Sequence, residues 1–289
     1  MNSMQDRLID LHTHTTTSDG SFTPAELVAL ASKLGLSAVA ITDHDTISGY
    51  PEACKAAENT GVEVIPGLEI STRYHSAVHI LGYYVNINNQ ALLSELSWIV
   101  WERDQRNERI RALMREDGLP VDYSGMKTRF GDVVGRPHFA RLLVEYGLAV
   151  DVRDAFRRYL ERGQRYFQAR TFLSIERSVE IIALSGGIPV LAHPFQYRLD
   201  EPELRELIEY CMQHGLRGIE CLYSGYTEEQ SLYLKHLASE YGLLVTGGSD
   251  FHGSAKPHIQ LGCGTGDLAV PYALLEGLKE EQNKKSLKK

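Results

Sequence analysis

Five times along the chain a helical pattern ends at glycine and a short, β-branched, apolar run begins at once. These junctions are KLG before LSAVAIT (33–42), NTG before VEVIP (59–66), SGG before IPVLA (185–192), QHG before LRGIECL (213–222) and EYG before LLVTG (240–247). Glycine suits the left-handed residue that closes a helix. The runs after it are too short and too evenly apolar for half-exposed strands, which predicts fully buried parallel strands. RLIDLH (7–12) and VHILGYY (78–84) bring the strand candidates to seven, most of them followed by a helix. Thr23, Pro24 and Glu26 form a capping box that starts the first helix, and Thr227 with Gln230 repeats it before the helix that runs to Tyr241.

Residues 88–176 break this rhythm. They read as a long amphipathic helix from about Ala91 to Glu116, then PHFARLLVEYG (137–147) and VRDAFRRYLERG (152–163), with no strong strand among them. The expected organisation is an α/β core in two parts, 1–87 and 177–289, around an inserted helical subdomain at 88–176. The closing KEEQNKKSLKK reads as a charged, frayed tail. Alternating strands and helices leave a doubly wound sheet or a (β/α) barrel, and the polar positions decide between them.

His12 and His14 are two apart at the end of the first strand, so their rings project from the same face. Asp19 follows in the turn SDG. His44 ends the second strand in TDHD, Glu69 lies just past the third in PGLEI, and His79 falls near the start of the fourth. His193 ends the fifth in LAHP, and Asp250 and His252 end the seventh in GGSDFH. Functional residues drawn from many strand ends converge at the rim of a barrel, whereas an open sheet concentrates its site at one switch point. Burying nine imidazoles and carboxylates without metals would cost several kcal/mol each unless all were paired. Nine ligands exceed the needs of one cation, so two or three divalent ions are expected, and a mixed imidazole and carboxylate set suits Mn, Fe or Zn.

The order DLHTHT, SDG, TDHD, GLE, HILGY, LAHP, GSDFH resembles the PHP (polymerase and histidinol phosphatase) family over nearly the whole chain. The resemblance implies a distorted (β/α)7 barrel of TIM-like form and a phosphoesterase activity. It also implies that His12, His14, Glu69 and Asp250 hold one metal, that Asp19, His44 and His252 hold a second, and that Glu69, His79 and His193 hold a third. The inserted helices, with GRPHFARLLVE (135–145), look like the subgroup of nucleoside 3′,5′-bisphosphate phosphatases and RNA 5′-end trimming enzymes. Some relatives carry an Arg directly after the HP dipeptide, whereas this chain reads PFQYR, with Gln196 and then Arg198.

The expected reaction is hydrolysis of a phosphate monoester by a metal-bridged hydroxide attacking in line. Arg136 is the first candidate for the substrate phosphate, because Pro137 opens a helix whose N-terminal NH groups favour an anion; His138 and Arg198 are further candidates. Asp250 or His252 could also protonate the leaving oxygen. Two other readings are an amidohydrolase-type cleavage of C–N or C–O bonds and a non-catalytic metal-binding regulator. The first usually relies on a Lys or a further His on a middle strand, and no Lys occurs in the third, fourth or fifth strand; the second predicts missing ligands.

Net charge −8 argues against duplex DNA as a partner, since non-specific affinity for it comes from many Lys and Arg, but a small phosphorylated substrate, nucleotide or short RNA remains open because bound cations reverse the local sign. No run approaches the roughly 18 to 20 apolar residues of a membrane span, and MNSMQDRLID lacks signal-peptide character, so a cytoplasmic location is expected. Cys54, Cys211, Cys221 and Cys263 are too dispersed for a zinc finger or a disulfide framework. Tyr74, His75, Tyr83, Tyr223 and Tyr226 are candidates for stacking a base.

Overall fold

A computed structural model describes residues 7–74, 77–131 and 133–286. The strands are β1 (Leu8–Asp10), β2 (Ala38–Ile41), β3 (Glu63–Arg73), β4 (Ala77–Tyr83), β5 (Ile188–Leu191), β6 (Gly218–Tyr223), β7 (Leu244–Gly248) and β8 (Val270–Pro271). They form one sheet in the order β7-β6-β5-β4-β3-β2-β1-β8. The sheet curls until β1 meets β7: Leu11 N–H donates to the Gly247 carbonyl (3.2 Å), Asp250 N–H donates to that of His12 (2.8 Å), and Thr13 bridges Phe251 in parallel. The result is a barrel, as the rim of polar residues predicts, with the distorted, TIM-like form that the family resemblance implies.

Helices α1 (Pro24–Lys33) and α2 (Tyr50–Ala57) flank the first strands; α7 (Ile175–Leu184), α8 (Glu201–Gln213), α9 (Glu228–Tyr241) and α10 (Ala273–Ser286) flank the last. Side chains alternate across the strands as the pleat requires. Ala38 and Ala40 join Ile9, Leu11, Ile65 and Val190 in one apolar cluster, while Val39 and Ile41 pack outward on Leu27, Val28 and Ala53. All five glycines that were expected to close helices, Gly35, Gly61, Gly186, Gly215 and Gly242, have positive φ, and both capping boxes form.

The parallel expectation holds for β1-β2-β3 and β5-β6-β7 and fails at β4, which is antiparallel to both neighbours. A parallel crossover takes a dozen or more residues, and only residues 74–76 separate β3 from β4. The Pro66-Gly67 step was read as the end of the third strand, yet β3 continues to Arg73, so Glu69 sits within the strand rather than past it. The reversal also explains why His79 lies at the start of its strand: the start of β4 is level with the ends of its neighbours. Two further differences follow from short or polar segments. β8 has only two residues, and the expected frayed tail is helical through Ser286, with Glu281 accepting from Arg217 (2.6 Å) and Lys285 donating to the Gly187 carbonyl (2.5 Å). Residues 287–289 of that tail lie outside the described residues.

Between β4 and α7 the chain builds α3 (Gln90–Glu116), α4 (Tyr123–Phe130), α5 (Arg136–Glu145) and α6 (Val152–Ala155), the last running into a π-helical turn at Phe156–Leu160. These helices gather a separate core from Ile110, Met114, Phe139, Leu143 and Leu160. α4, YSGMKTRF, has no apolar stripe long enough to announce it. Among the described residues no helix is long and apolar enough to cross a membrane.

Closure of the barrel depends on Gly248. A Cβ there would lie 2.3 Å from His12 N and 2.4 Å from His12 Cβ, so β7 can approach β1 only without a side chain. Gly248→Ala is expected to destabilise the fold by about 1–3 kcal/mol and to displace His12. Thermal unfolding of the metal-free variant measures the first effect and metal stoichiometry the second; an unchanged midpoint would refute the assignment.

Candidate metal centre

All nine side chains singled out as ligands meet at the end of the barrel where the parallel strands terminate. They fall into four overlapping groups: His14, Asp19, His44 and His252; His12, His14 and Asp250; His12, Glu69 and His193; and His44, Glu69 and His79. Within each group the ligating atoms lie within 4.8 Å of one another. Glu69 is the hub. Its Oε2 is 3.4 Å from His12 Nε2, 3.3 Å from His14 Nε2 and 3.0 Å from His44 Nδ1. Its Oε1 is 2.9 Å from both His79 Nδ1 and His193 Nε2. Asp250 presents Oδ1 to His14 Nε2 at 3.1 Å, and Asp19 presents Oδ1 to His252 Nε2 at 3.2 Å.

A layer of residues that the sequence had not marked for this role fixes these ligands. Glu220 of β6, fully buried, takes His12 Nδ1 at 2.9 Å and the His193 N–H at 2.8 Å. An ionised carboxylate only accepts, so His12 carries its proton on Nδ1 and turns the Nε2 lone pair to the cluster. His252 makes the same choice by a different partner, with Nδ1 at 2.8 Å from the Asp250 carbonyl. Tyr223 Oη and Lys256 Nζ donate to Asp250 Oδ2 at 2.7 and 2.6 Å, leaving Oδ1 free. Asp43 accepts from the hydroxyls of Thr15, Thr17 and Ser18 and holds the loop that carries His14 and Asp19. His193 and Asp250 adopt positive φ of 26° and 58°, a backbone strain of about 1–3 kcal/mol each that tertiary contacts must impose.

Seven buried polar atoms in this cluster have no hydrogen-bond partner: His12 Nε2, both ring nitrogens of His14, Asp19 Oδ1, His44 Nδ1, Glu69 Oε2 and His193 Nδ1. The contacts among them are close but misdirected for hydrogen bonding. An orphaned buried group costs about 1–3 kcal/mol, and native proteins leave few. Lone pairs of imidazole and carboxylate converging on common points are the donor set of divalent transition metals, so the residues fit the group they were expected to hold. Burial opposes charge on Glu69, Asp19 and Asp250, yet the facing imidazoles and Lys256 hold all three well below the usual carboxylate range, His79 leading for Glu69, His252 for Asp19 and Lys256 for Asp250. Burial likewise opposes charge on His14, but Asp250 and Glu69 push it up from 6.5 to about 9. Burial dominates at His44, which drops to about 3.

Beside the cluster lies a cavity of about 460 Å³, reached by Asp19, His44 and His79. The same cavity is lined by Arg103, Arg106, Arg136 and Arg170, with Arg73 and Arg162 besides. Burial and mutual repulsion lower the proton affinity of Arg106, Arg136 and Arg170. A guanidinium does not release its proton in proteins, so the strain amounts to a demand for a counter-anion. The carboxylate in contact with Arg103 and Arg170 is that of Asp45. Arg106 Nη2 and Arg170 Nη1 are buried without partners.

Of the three phosphate candidates from the sequence, Arg136 lines this cavity. His138 does not line it: buried under Phe130, its Nδ1 accepts from the Gly135 N–H at 2.8 Å and caps α5. Arg198 is exposed, away from the cavity. Among the tyrosines, Tyr83 is fully buried with its hydroxyl on the Leu11 carbonyl rather than at the rim. Tyr223 serves Asp250, Tyr226 accepts from the Phe195 N–H (3.0 Å), and Tyr74 lies against Tyr210. His75 is outside the described residues. The aromatic rings that do line the cavity are Phe156, Phe167 and Phe172.

A family model for the PHP domain matches residues 10–215. The chain is 36% identical over 244 residues to a 5′-3′ exoribonuclease of Haemophilus influenzae, covering 84% of this chain and 89% of that protein. It is 33% identical over 248 residues to a 3′,5′-nucleoside bisphosphate phosphatase of Chromobacterium violaceum, covering 84% and 87%. A chain from Bifidobacterium adolescentis, assigned as a metal-dependent phosphoesterase, superposes with a TM-score of 0.84 at 31% identity, over 94% of this chain and 96% of that one. Barrel, ligand cluster and relatives together define a metal-dependent hydrolase of phosphoester bonds. The chain belongs to the PHP domain family.

Two measurements test the centre. Below about pH 9 a metal must displace the proton on His14, so affinity should rise with pH through that window and level off above it. The metal-free fold runs the other way: the charged His14 stabilises it fully below 6.5, and this contribution is lost as pH rises through about 9. Calorimetric titration with Mn²⁺ at neutral pH in two buffers of different ionisation enthalpy should record proton release; none would contradict the arrangement. Glu220→Gln cannot accept from both His12 and His193 through its amide, and should weaken metal affinity about 10–100-fold. Unaltered affinity would remove Glu220 from the supporting layer.

Proposed function

We propose that this protein hydrolyses a phosphate monoester on a nucleotide-sized substrate that carries a second phosphate, such as the 3′-phosphate of a nucleoside 3′,5′-bisphosphate or the 5′ end of a short RNA. The observation that carries the reading is the cavity's lining, which brings ligands of the metal cluster together with the guanidiniums of Arg103, Arg106, Arg136 and Arg170. A single monoester bound at the ligands would leave four guanidiniums with one carboxylate, Asp45, in contact with two of them, whereas a second phosphate answers the rest with charge-assisted, bidentate hydrogen bonds. The name of the 3′,5′-nucleoside bisphosphate phosphatase points the same way. Phe156, Phe167 and Phe172 add apolar surface to the same cavity, beneath the guanidiniums of Arg136 and Arg170, where a planar base could pack.

The nine ligands hold two or three ions, of Mn, Fe or Zn type, because four overlapping groups share Glu69, His12, His14 and His44. Bound there, such ions would polarise the phosphoryl oxygens and acidify water. The protein's own part is to orient and exclude. Asp250 and His252 act as ligands whose remaining polar atoms are already engaged, Asp250 Oδ2 by Tyr223 and Lys256 and His252 Nδ1 by a carbonyl. Arg136, with Arg103, Arg106 and Arg170, holds the non-reacting phosphate and so aligns the reacting one, where positioning and electrostatics supply most of the acceleration.

A phosphate-release screen on metal-loaded protein, comparing nucleoside 3′,5′-bisphosphates, short 5′-phosphorylated RNA and simple monoesters, tests the reading. Doubly phosphorylated substrates should lead, and activity confined to simple monoesters would overturn it. Arg136→Ala should lower kcat/KM on the preferred substrate by about 10–100-fold, the worth of a charged hydrogen bond, at wild-type metal content. Unchanged kinetics would take Arg136 out of the site.

A further inference from the structure

Asp45 has no place among the ligands, yet among the described residues it is the fully buried acid in contact with the arginine wall. It follows the ligand His44 directly and adopts φ of +55°, a left-handed conformation that a non-glycine residue enters at a cost. Its backbone N–H donates to the Glu69 carbonyl (2.9 Å), and its Oδ1 accepts from the Ser71 N–H (2.7 Å). Both contacts lock the turn to β3, the strand of the hub carboxylate. The other oxygen, Oδ2, takes Arg103 of α3 through Nε (2.9 Å) and Nη2, and Arg170 Nη2 at 3.4 Å. Arg103 Nη2 reaches back to Ser71 Oγ at 3.2 Å. Burial works against charge on Asp45, but Arg103 and Arg170 outweigh it and hold the carboxyl down at about 2.

A buried ion pair contributes little net stability, because desolvation consumes most of the Coulomb gain; its established use is to select one arrangement over others. Here it joins two bodies with different cores, the barrel and the inserted helices. It also leaves the arginines short of full neutralisation, since one carboxylate oxygen serves two guanidiniums and Arg170 Nη1 stays unpartnered. We infer that Asp45 is a positioning residue: it ties the metal-binding turn to Arg103 and Arg170, and so fixes the distance between the reacting phosphate and the second one. This rests on the reading of the arginine wall as the seat of that second phosphate.

The test compares wild type, Asp45→Asn, Arg103→Ala with Arg170→Ala, and the triple variant, on a nucleoside 3′,5′-bisphosphate and on p-nitrophenyl phosphate, with metal content measured throughout. Asparagine keeps the size and the bond from Ser71 N–H but removes the charge that orders the guanidiniums. The preference for the doubly phosphorylated substrate, as a ratio of kcat/KM values, should fall at least tenfold in Asp45→Asn, with most of the change in KM. In the background lacking Arg103 and Arg170, the same substitution should change the ratio less than twofold, because the residue acts through them. An unaltered ratio in Asp45→Asn, or the same further loss in both backgrounds, would overturn the inference. A wild type with no preference for the second phosphate would overturn the reading of the arginine wall, and this inference with it. Should Asp45→Asn fail to load metal, Arg170→Gln leaves the 43–45 turn intact and must lower the same ratio; no change there would equally be fatal.

Discussion

One buried carboxylate organises this molecule. Glu69 faces five imidazoles, His12, His14 and His44 on one oxygen and His79 and His193 on the other. Those side chains arrive from β1, β2, β4 and β5, so the ends of the parallel strands and the start of β4 must lie at one level for the set to assemble. Burying it without cations leaves seven polar atoms unsatisfied. The rest of the barrel can be understood as what makes that concentration of polarity tolerable: Glu220 and the Asp250 carbonyl choose tautomers, Asp43 restrains the loop, and Gly248 admits the last strand.

The arginine wall poses the opposite problem, a surplus of positive charge on side chains that are largely out of solvent. The two surpluses differ in what they ask for. Carboxylates and imidazole lone pairs at the rim call for cations; guanidiniums on the inserted helices call for an anion. A substrate whose phosphates touch both satisfies each with the other, and low dielectric makes both interactions stronger than they would be in water. Asp45 sits where the two regions meet, beside a ligand by sequence and against two guanidiniums by contact.

Much of the ligand set was legible because each piece is short and local. HTH, TDHD and SDFH place imidazoles and acids at the ends of apolar runs, where no core would tolerate them without a purpose. The supporting layer was harder to see. Glu220 lies within GIECLY, and an acid inside an otherwise buried strand was the signal available. Arg103 and Arg106 also left a trace: the buried stripe of α3 runs Leu92, Leu96, Ile99, then Arg103, Arg106 and Asn107, before resuming at Ile110 and Met114. A break of that kind, polar where the helical period demands apolar, marks a cavity rather than a core. The reversed β4 escaped because its composition matches a parallel buried strand, and only the shortness of the 74–76 connection reveals its direction.

That reversal shapes the whole upper half of the protein. A strand running against its neighbours delivers the chain to the floor of the barrel, so α3 starts there and has to climb. From Gln90 to Arg103 is about 20 Å at 1.5 Å per residue, matching the roughly 20 Å from Ala77 to Tyr83 along β4. The helix thus works as a mast, stepped at the base and tall enough to carry its guanidiniums level with the mouth. A canopy rooted so far from the ligands can be rebuilt for another cargo while the hearth beneath it stays as it is.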